Sequence, residues 1–323
     1  MRRITIEWRE RAMGMVRVAA LAAAVGVLAA GGAGAQIPPD IAAQLKEIGP
    51  RIEAAKTTAL YTAQFSQDMY AGTYASRDVA YGDDEKQKID IFTADKPTPG
   101  LKPVLVFVHG GGFLGGDKHR PATSPFYDNI MTWGAKNGLV GVNFNYRLAP
   151  KNTWPTGPQD LASAIKWLQA NAAQYGGDPK RIYLWGHSVG AVHVADYVAH
   201  TQFHPAGGVG VKGAILTSGQ IYDMKGPNAT PAYYGTDASK YPEMASTPGL
   251  TKSKVPLLLT LAELDPEPFR AQSLGLKEAL CKAGRCPTVV ELKGHSHISE
   301  TNAIGTSDTS LSGPVLAFVK GRK

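Results

Sequence analysis

The chain has 323 residues, of which 43% are hydrophobic and 19% charged, with a formal net charge of +7. That length suits one large α/β domain or two small ones, and that balance excludes a disordered chain. Lysines and arginines are scattered, with no basic stripe interleaved with aromatics, so nothing in the charge calls for a nucleic-acid partner.

The first 35 residues stand apart from the rest. Arg2, Arg3, Arg9, Arg11 and Arg17 form a basic front, an apolar run follows from Val18 to Ala30, and Ala33-Gly34-Ala35 supplies the small residues of a cleavage site. The run falls short of the ~20 apolar residues that span a bilayer. Residues 1–35 are therefore expected to be a secretory signal peptide rather than a retained anchor, with Met13 or Met15 as an alternative start. Cleavage before Gln36 would remove five arginines and two glutamates and leave a single domain, 36–323, at +4. Its place would be periplasmic or secreted, without stable membrane association.

After Gln36, Ile41, Leu45 and Ile48 recur at helical spacing until Pro50 interrupts them, so 36–73 reads as a helical extension, either a cap over a cleft or a packing layer. Tyr74 to Thr93 alternates apolar and polar residues through Val79, Tyr81, Ile89 and Ile91, which predicts an antiparallel hairpin. Unbroken apolar runs then begin with "PVLVFVHGG" and continue at Leu139–Phe144, Arg181–Trp185, Gly213–Thr217, Val255–Leu261 and Thr288–Leu292. Such runs suit strands buried on both faces. Helical stretches lie between them: "GPQDLASAIKWLQANAAQYG" with Leu161, Ile165 and Leu168 on one face, "VGAVHVADYVAH", "PEPFRAQSLGLKEALCKAG" and a closing "GPVLAFVKG". The alternation predicts a mostly parallel, doubly wound sheet. Cys281 and Cys286 are the only two cysteines; in an oxidising compartment the four residues between them can close a tight disulfide loop, and no Cys/His pairing has zinc-ligand spacing.

On this map "GHSVG" places Ser188 on the sharp turn between the run ending at Trp185 and the helix starting near Val189. That is the context of a nucleophile elbow, with Gly186 and Gly190 fitting a turn too tight for side chains. "VFVHGGGFLGGDK" leaves the first buried strand with consecutive glycines that can turn backbone N–H groups inward, and it lacks the spacing of a phosphate loop. A serine hydroxyl needs a histidine to take its proton and an acid to orient that histidine. Asp265, just beyond the apolar run of "VPLLLTLAELDPEPF", is the preferred acid over Glu263 and Glu267, and His297 is preferred to His295 in "VVELKGHSHIS". His109 and His187 adjoin the site and read as loop-shaping. Tyr222, Tyr233 and Tyr234, in a long loop between two strands, either line a substrate pocket or pack the loop.

From about Tyr81 onward the chain resembles an α/β-hydrolase of the carboxylesterase type, close to the hormone-sensitive-lipase-like and feruloyl-esterase-like branch. The resemblance rests on "HGGGF..GDK", "NYRLAP", "GGDPKRIYLWGHSVGA", "ELDPEPF" and "KGHSHIS", in that order. It implies the α/β-hydrolase fold: a mostly parallel central sheet with helices on both faces. It implies Ser188 as nucleophile, His297 as base and Asp265 as orienting acid, with oxyanion N–H donors at Gly111, Gly112 and Val189. Tyr146 and Arg147 would support the site from behind, and Asp117 and Asp160 would fix loops. "WPTGPQD" departs from the Ala-rich stretch more usual in such chains. The expected activity is hydrolysis of a small ester, short-chain or aromatic, through an acyl-enzyme, with no metal or organic cofactor. An aryl-formamidase or other amide hydrolase would use the same triad, and a non-catalytic binding protein would lose one of its members.

Overall fold

The six apolar runs from "PVLVFVHGG" to Thr288–Leu292 all become strands of one sheet. The computed structural model describes residues 37–65, 68–96, 98–120, 124–224 and 230–321; the expected leader lies outside them. The strands are β1 (Thr73–Ala80), β2 (Lys88–Ala94), β3 (Lys102–Val108), β4 (Val140–Phe144), β5 (Gly177–His187), β6 (Gly213–Thr217), β7 (Leu257–Leu264) and β8 (Thr288–Ser296). Their order is β1-β2-β4-β3-β5-β6-β7-β8. The hairpin β1–β2 and its junction with β4 are antiparallel, and all pairings from β4 to β8 are parallel. The alternation of apolar runs and helical stretches predicts this mostly parallel, doubly wound arrangement, and the sheet has it.

Parallel strands joined by crossover helices must be covered on both faces, and the side-chain alternation of β3 and β5 divides the core accordingly. Val104, Val106, Val108, Ile182 and Leu184 point to α4 (Thr156–Asn171) and α5 (Val189–Ala199). Leu105, Phe107, Tyr183 and Trp185 point to α3 (Asp128–Lys136) and the C-terminal helix. Each such side chain, fully buried, contributes about 1.5–3 kcal/mol. The predicted stripe Leu161, Ile165 and Leu168 is the buried face of α4.

The extension forms α1 (Pro39–Ile48) and α2 (Ala54–Thr62). Ile41, Leu45 and Ile48, the predicted stripe, join Tyr61 in a small cluster with Ala303 and Leu264. The apolar face of these helices is thus spent on packing beside the loops that follow β7 and β8. Between β6 and β7 lie short turns, α6 (Pro231–Tyr234), α7 (Tyr241–Met244) and α8 (Thr247–Leu250); α9 (Glu267–Lys282), α10 (Ser299–Asn302) and α11 (Ser312–Lys320) complete the chain. The expected Cys281–Cys286 disulfide closes the turn from α9 into β8.

Helix α3 was not predicted. It buries polar and apolar residues alike, including Asp128, Asn129 and Thr132, and it contains Gly134, so no clean stripe marks it. Strands β7 and β8 also run further than their apolar cores suggested, to Leu264 and Ser296.

One buried carboxyl in this core bears on stability. Asp196 of α5 is 1% exposed, accepts a hydrogen bond from the Ser246 hydroxyl and leaves its second oxygen unpartnered. Burial pushes its pKa up to about 8. A folded-state value above the unfolded one means that this group's stabilising contribution is complete at low pH and is lost as pH rises through about 8. Asp196→Asn, neutral throughout, should therefore flatten the decline in melting temperature between roughly pH 4 and 8, a relative gain of about 1 kcal/mol or more at the upper end. Parallel pH–stability curves for the two proteins would contradict this assignment.

Candidate active site

Ser188 ends the β5 register beside β6, with its N–H bonded to the Thr217 carbonyl at 3.0 Å. Its backbone is left-handed, with φ 58° and ψ −125°, and α5 begins at the next residue. Such a conformation is strained for a residue with a side chain and persists only where packing dictates it. The dictate is visible at the neighbouring glycines. A Cβ on Gly190 would lie 2.0 Å from the Val108 carbonyl oxygen, and one on Gly186 would lie 2.3 Å from the Gly190 oxygen. The turn thus presents Ser188, 7% exposed, at the carboxyl end of the central strands.

Asp265 and His297 meet from two further loops. His297 Nδ1 lies 2.8 Å from Asp265 Oδ1, and both side chains are buried. The other carboxylate oxygen, Oδ2, accepts the Ser218 hydroxyl at 2.6 Å and the Ala262 N–H at 2.8 Å. A carboxylate held by three donors has a fixed plane, and it fixes the imidazole ring opposite it. The facing carboxylate also assigns the proton to Nδ1, which leaves Nε2 bare. The other sequence candidates go elsewhere. Glu263 is exposed and accepts the Gly294 N–H at 2.8 Å; Glu267 is exposed in the first turn of α9. His295 turns inward, with Nε2 3.0 Å from Asp308 and Nδ1 3.0 Å from Ser299 Oγ. Among the described residues no hydrogen bond joins the Ser188 hydroxyl to His297, as is common in resting sites. Their loops are joined instead through the His187 side chain: its Nε2 lies 2.8 Å from the His297 carbonyl oxygen.

The glycine loop after β3 abuts the elbow. A Cβ on Gly110 would sit 3.0 Å from the Ser188 Cβ. Gly111 and Gly112 have φ of 139° and 63°, and among the described residues no acceptor takes the N–H of Gly111, Gly112 or Val189. Both ends of this loop are held by Asn145, which sequence reasoning placed only within "NYRLAP". Its Oδ1 accepts the Lys118 N–H at 2.5 Å and lies 3.1 Å from His109 Nε2, while its Nδ2 donates to Asp117 at 3.0 Å. Tyr146 donates to the His109 carbonyl at 2.9 Å and stacks on its ring at 4.5 Å. Arg147 pairs with Asp160 of α4 at 2.6 Å. Further out, Lys118 reaches Asp78 and Asp90, each at 2.8 Å, and so pins the loop to the β1–β2 hairpin.

The tyrosines divide as the packing alternative had it. Tyr222, Tyr233 and Tyr234 are buried, and Tyr233 stacks on Phe113 at 4.3 Å. Tyr233 and Tyr234 hold the Phe113 side of the glycine loop, and Tyr222 joins the main core. Leu114 is 52% exposed at the tip of that loop, and Phe269, half-buried, stands edge-on to the His297 ring at 5.2 Å. Among the described residues His187, His297 and Glu300 are close enough to share a metal ion. Two of those three are committed: His187 Nε2 to the His297 carbonyl and His297 Nδ1 to Asp265.

The BD-FAE family model matches residues 89–209. Phenmedipham hydrolase of Pseudarthrobacter oxydans is 39% identical over 127 residues, which covers 34% of this chain and 24% of that protein. Esterase LipQ of Mycobacterium tuberculosis is 31% identical over 237 residues, 64% of this chain and 53% of that protein. The matches thus span between a quarter and about half of these relatives' length. Among solved structures, a bacterial heroin esterase superposes with a TM-score of 0.65 at 24% identity, over 89% of this chain and 98% of that one. Esterase B of Lactobacillus rhamnosis superposes at 0.69 with 16% identity, over 87% and 95%.

The crossing of α5 over β3 can be tested without substrate. Gly190→Ala should lower folding stability by at least about 2 kcal/mol, because its methyl meets backbone that cannot yield. Gly207→Ala, where the added methyl meets nothing within 4 Å, should be near neutral. Equal melting temperatures for the two variants would show that the crossing is not tight.

Proposed function

We propose that this chain, which has the α/β-hydrolase fold, is a serine carboxylic-ester hydrolase acting through an acyl-enzyme on short-chain or aromatic esters. The observation that carries the reading is the buried Asp265–His297 hydrogen bond of 2.8 Å, formed by two loops that converge beside the Ser188 elbow. The names of similar proteins, esterases and ester hydrolases among them, support the reaction class.

Ser188 attacks the ester carbonyl as its proton passes to the bare Nε2 of His297. Asp265 keeps the ring in the required tautomer and stabilises the imidazolium that results. The oxygen of the tetrahedral intermediate takes hydrogen bonds from the N–H groups of Gly111, Gly112 and Val189, the last at the positive end of α5. The imidazolium then protonates the departing alcohol. Water repeats the sequence on the acyl-serine and releases the acid. No step draws on a metal or organic cofactor. Leu114 and Phe269 offer apolar surface beside the site for a small acyl or aryl group.

The mature enzyme would be exported. The Cys281–Cys286 disulfide is in keeping with an oxidising compartment, and no helix among the described residues is long and apolar enough to cross a membrane. N-terminal sequencing of the protein recovered outside the cytoplasm should begin at Gln36; recovery of Met1 there would refute a cleaved leader.

Turnover of p-nitrophenyl acetate and butyrate tests the chemistry. Ser188→Ala and His297→Ala should each lose at least about 10³-fold in kcat, and Asp265→Asn a comparable amount. Glu263→Gln should stay within about threefold, and His295→Ala should show mainly as a lower melting temperature. The matching anilides, run in parallel, separate an esterase from an amide hydrolase. Full turnover by Ser188→Ala would end the serine mechanism.

A further inference from the structure

The proposed reaction has no use for His187, yet this residue occupies the position before Ser188. It ends β5 and is 1% exposed. Its ring lies 4.7 Å from the His297 ring, and its Nε2 is 2.8 Å from the His297 carbonyl oxygen. A carbonyl can only accept, so Nε2 carries the proton and Nδ1 is left bare; Nδ1 is indeed buried without a partner. Burial, and then the neighbouring His297, hold the ring well below the usual imidazole range, so it is neutral.

Behind it stands Glu300 of α10, 0% exposed, with the Ser218 hydroxyl as its neighbour on the other side. The His187 Nε2 is 3.3 Å from its Oε1. Burial, reinforced by the charge of Asp265, pushes the Glu300 carboxyl well above the usual carboxylate range. An unsatisfied buried group such as the His187 Nδ1 is costly, and one placed behind a catalytic loop calls for a reason.

The geometry points to His187 as a positioning residue: its Nε2–H holds the His297 backbone in register with the elbow, with Glu300 as its backing. Asp265 fixes the rotation of the His297 ring. His187 fixes where the loop bearing that ring sits relative to Ser188, because residues 187 and 188 share a peptide bond. This assignment rests on Ser188 and His297 acting as nucleophile and base.

Its test compares wild type with His187→Leu, which removes the donor, and His187→Gln, whose side-chain amide can place an N–H where Nε2–H lies. With p-nitrophenyl butyrate, His187→Leu should lose at least about 10-fold in kcat with KM within about twofold, and His187→Gln should recover most of the loss. Nitrogen-15 spectra of the wild-type ring should show the Nε2–H tautomer, without titration between roughly pH 5 and 9. Wild-type kcat in His187→Leu, equal loss in Leu and Gln, or an Nδ1–H tautomer would each overturn the assignment. Should His187→Leu fail to fold, His187→Asn, whose amide reaches only the Nδ1 position, replaces it in the comparison with Gln. Ser188→Ala run alongside keeps the two questions apart: turnover in that variant defeats the hydrolase reading, whereas an inactive Ser188→Ala beside a fully active His187→Leu defeats only the role of His187.

Discussion

The close passage of α5 across the end of β3 is the constraint on which the remainder of the molecule depends. No side chain fits between Gly190 and the Val108 carbonyl, so strand, turn and helix are locked against one another. From that lock come the left-handed backbone of Ser188, an unpaired N–H at Val189 and the contact of the glycine loop with the elbow. The strain at one residue is carried by a parallel sheet buried on both faces, which is the stiffest part of the fold.

Around this lock, each group of the site is steadied by a partner from a different element. Ser218 at the end of β6 holds Asp265 after β7; Asn145 after β4 holds the loop after β3; His187 at the end of β5 holds the loop after β8. Helix α3 adds another tie, since Asn129 donates to the carbonyls of Thr301 and Ile304 just past His297. The inward His295–Asp308 pair is a further buried anchor beneath the same loop. Removing one member of such a pair leaves the other buried and unpaired, a loss of about 3–5 kcal/mol. These polar contacts therefore set positions more than they add net stability.

The elbow and the sheet were legible because their signals are local: glycines at fixed offsets from a serine, and apolar runs of strand length. Asp265 was legible by its place just past such a run. The choice of His297 over His295 was harder, because the two lie two residues apart and differ only in that β8 ends at Ser296, between them. The strand carries His295 into the core and releases His297 into the turn. The buried fate of Tyr222, Tyr233 and Tyr234 was not readable, since the loop is polar in composition and only the stacking on Phe113 reveals its packing. His187 read as loop-shaping from its place beside Ser188, but its partner could not be read, and Asn145 and Glu300 could not have been assigned from spacing. Their partners lie far along the chain (residues 187 and 297 are 110 positions apart), and several of them are backbone carbonyls or amides, which carry no sequence signature.

The layer formed by α1 and α2 has an implication for assembly. Tyr61 and the α1 stripe cluster with Leu264 and Ala303, while Asn302 donates to Thr58 across 244 positions of chain. Contacts of such separation carry the steepest closure entropy and gain nothing until the intervening sheet exists. The earliest of the described segments thus waits for nearly the last, and the loop that carries His297 is seated only once α1 and α2 have met it. Folding and assembly of the site are thereby coupled: a nascent chain can form its early strands and the turn at Ser188 before the loops that carry Asp265 and His297 are seated.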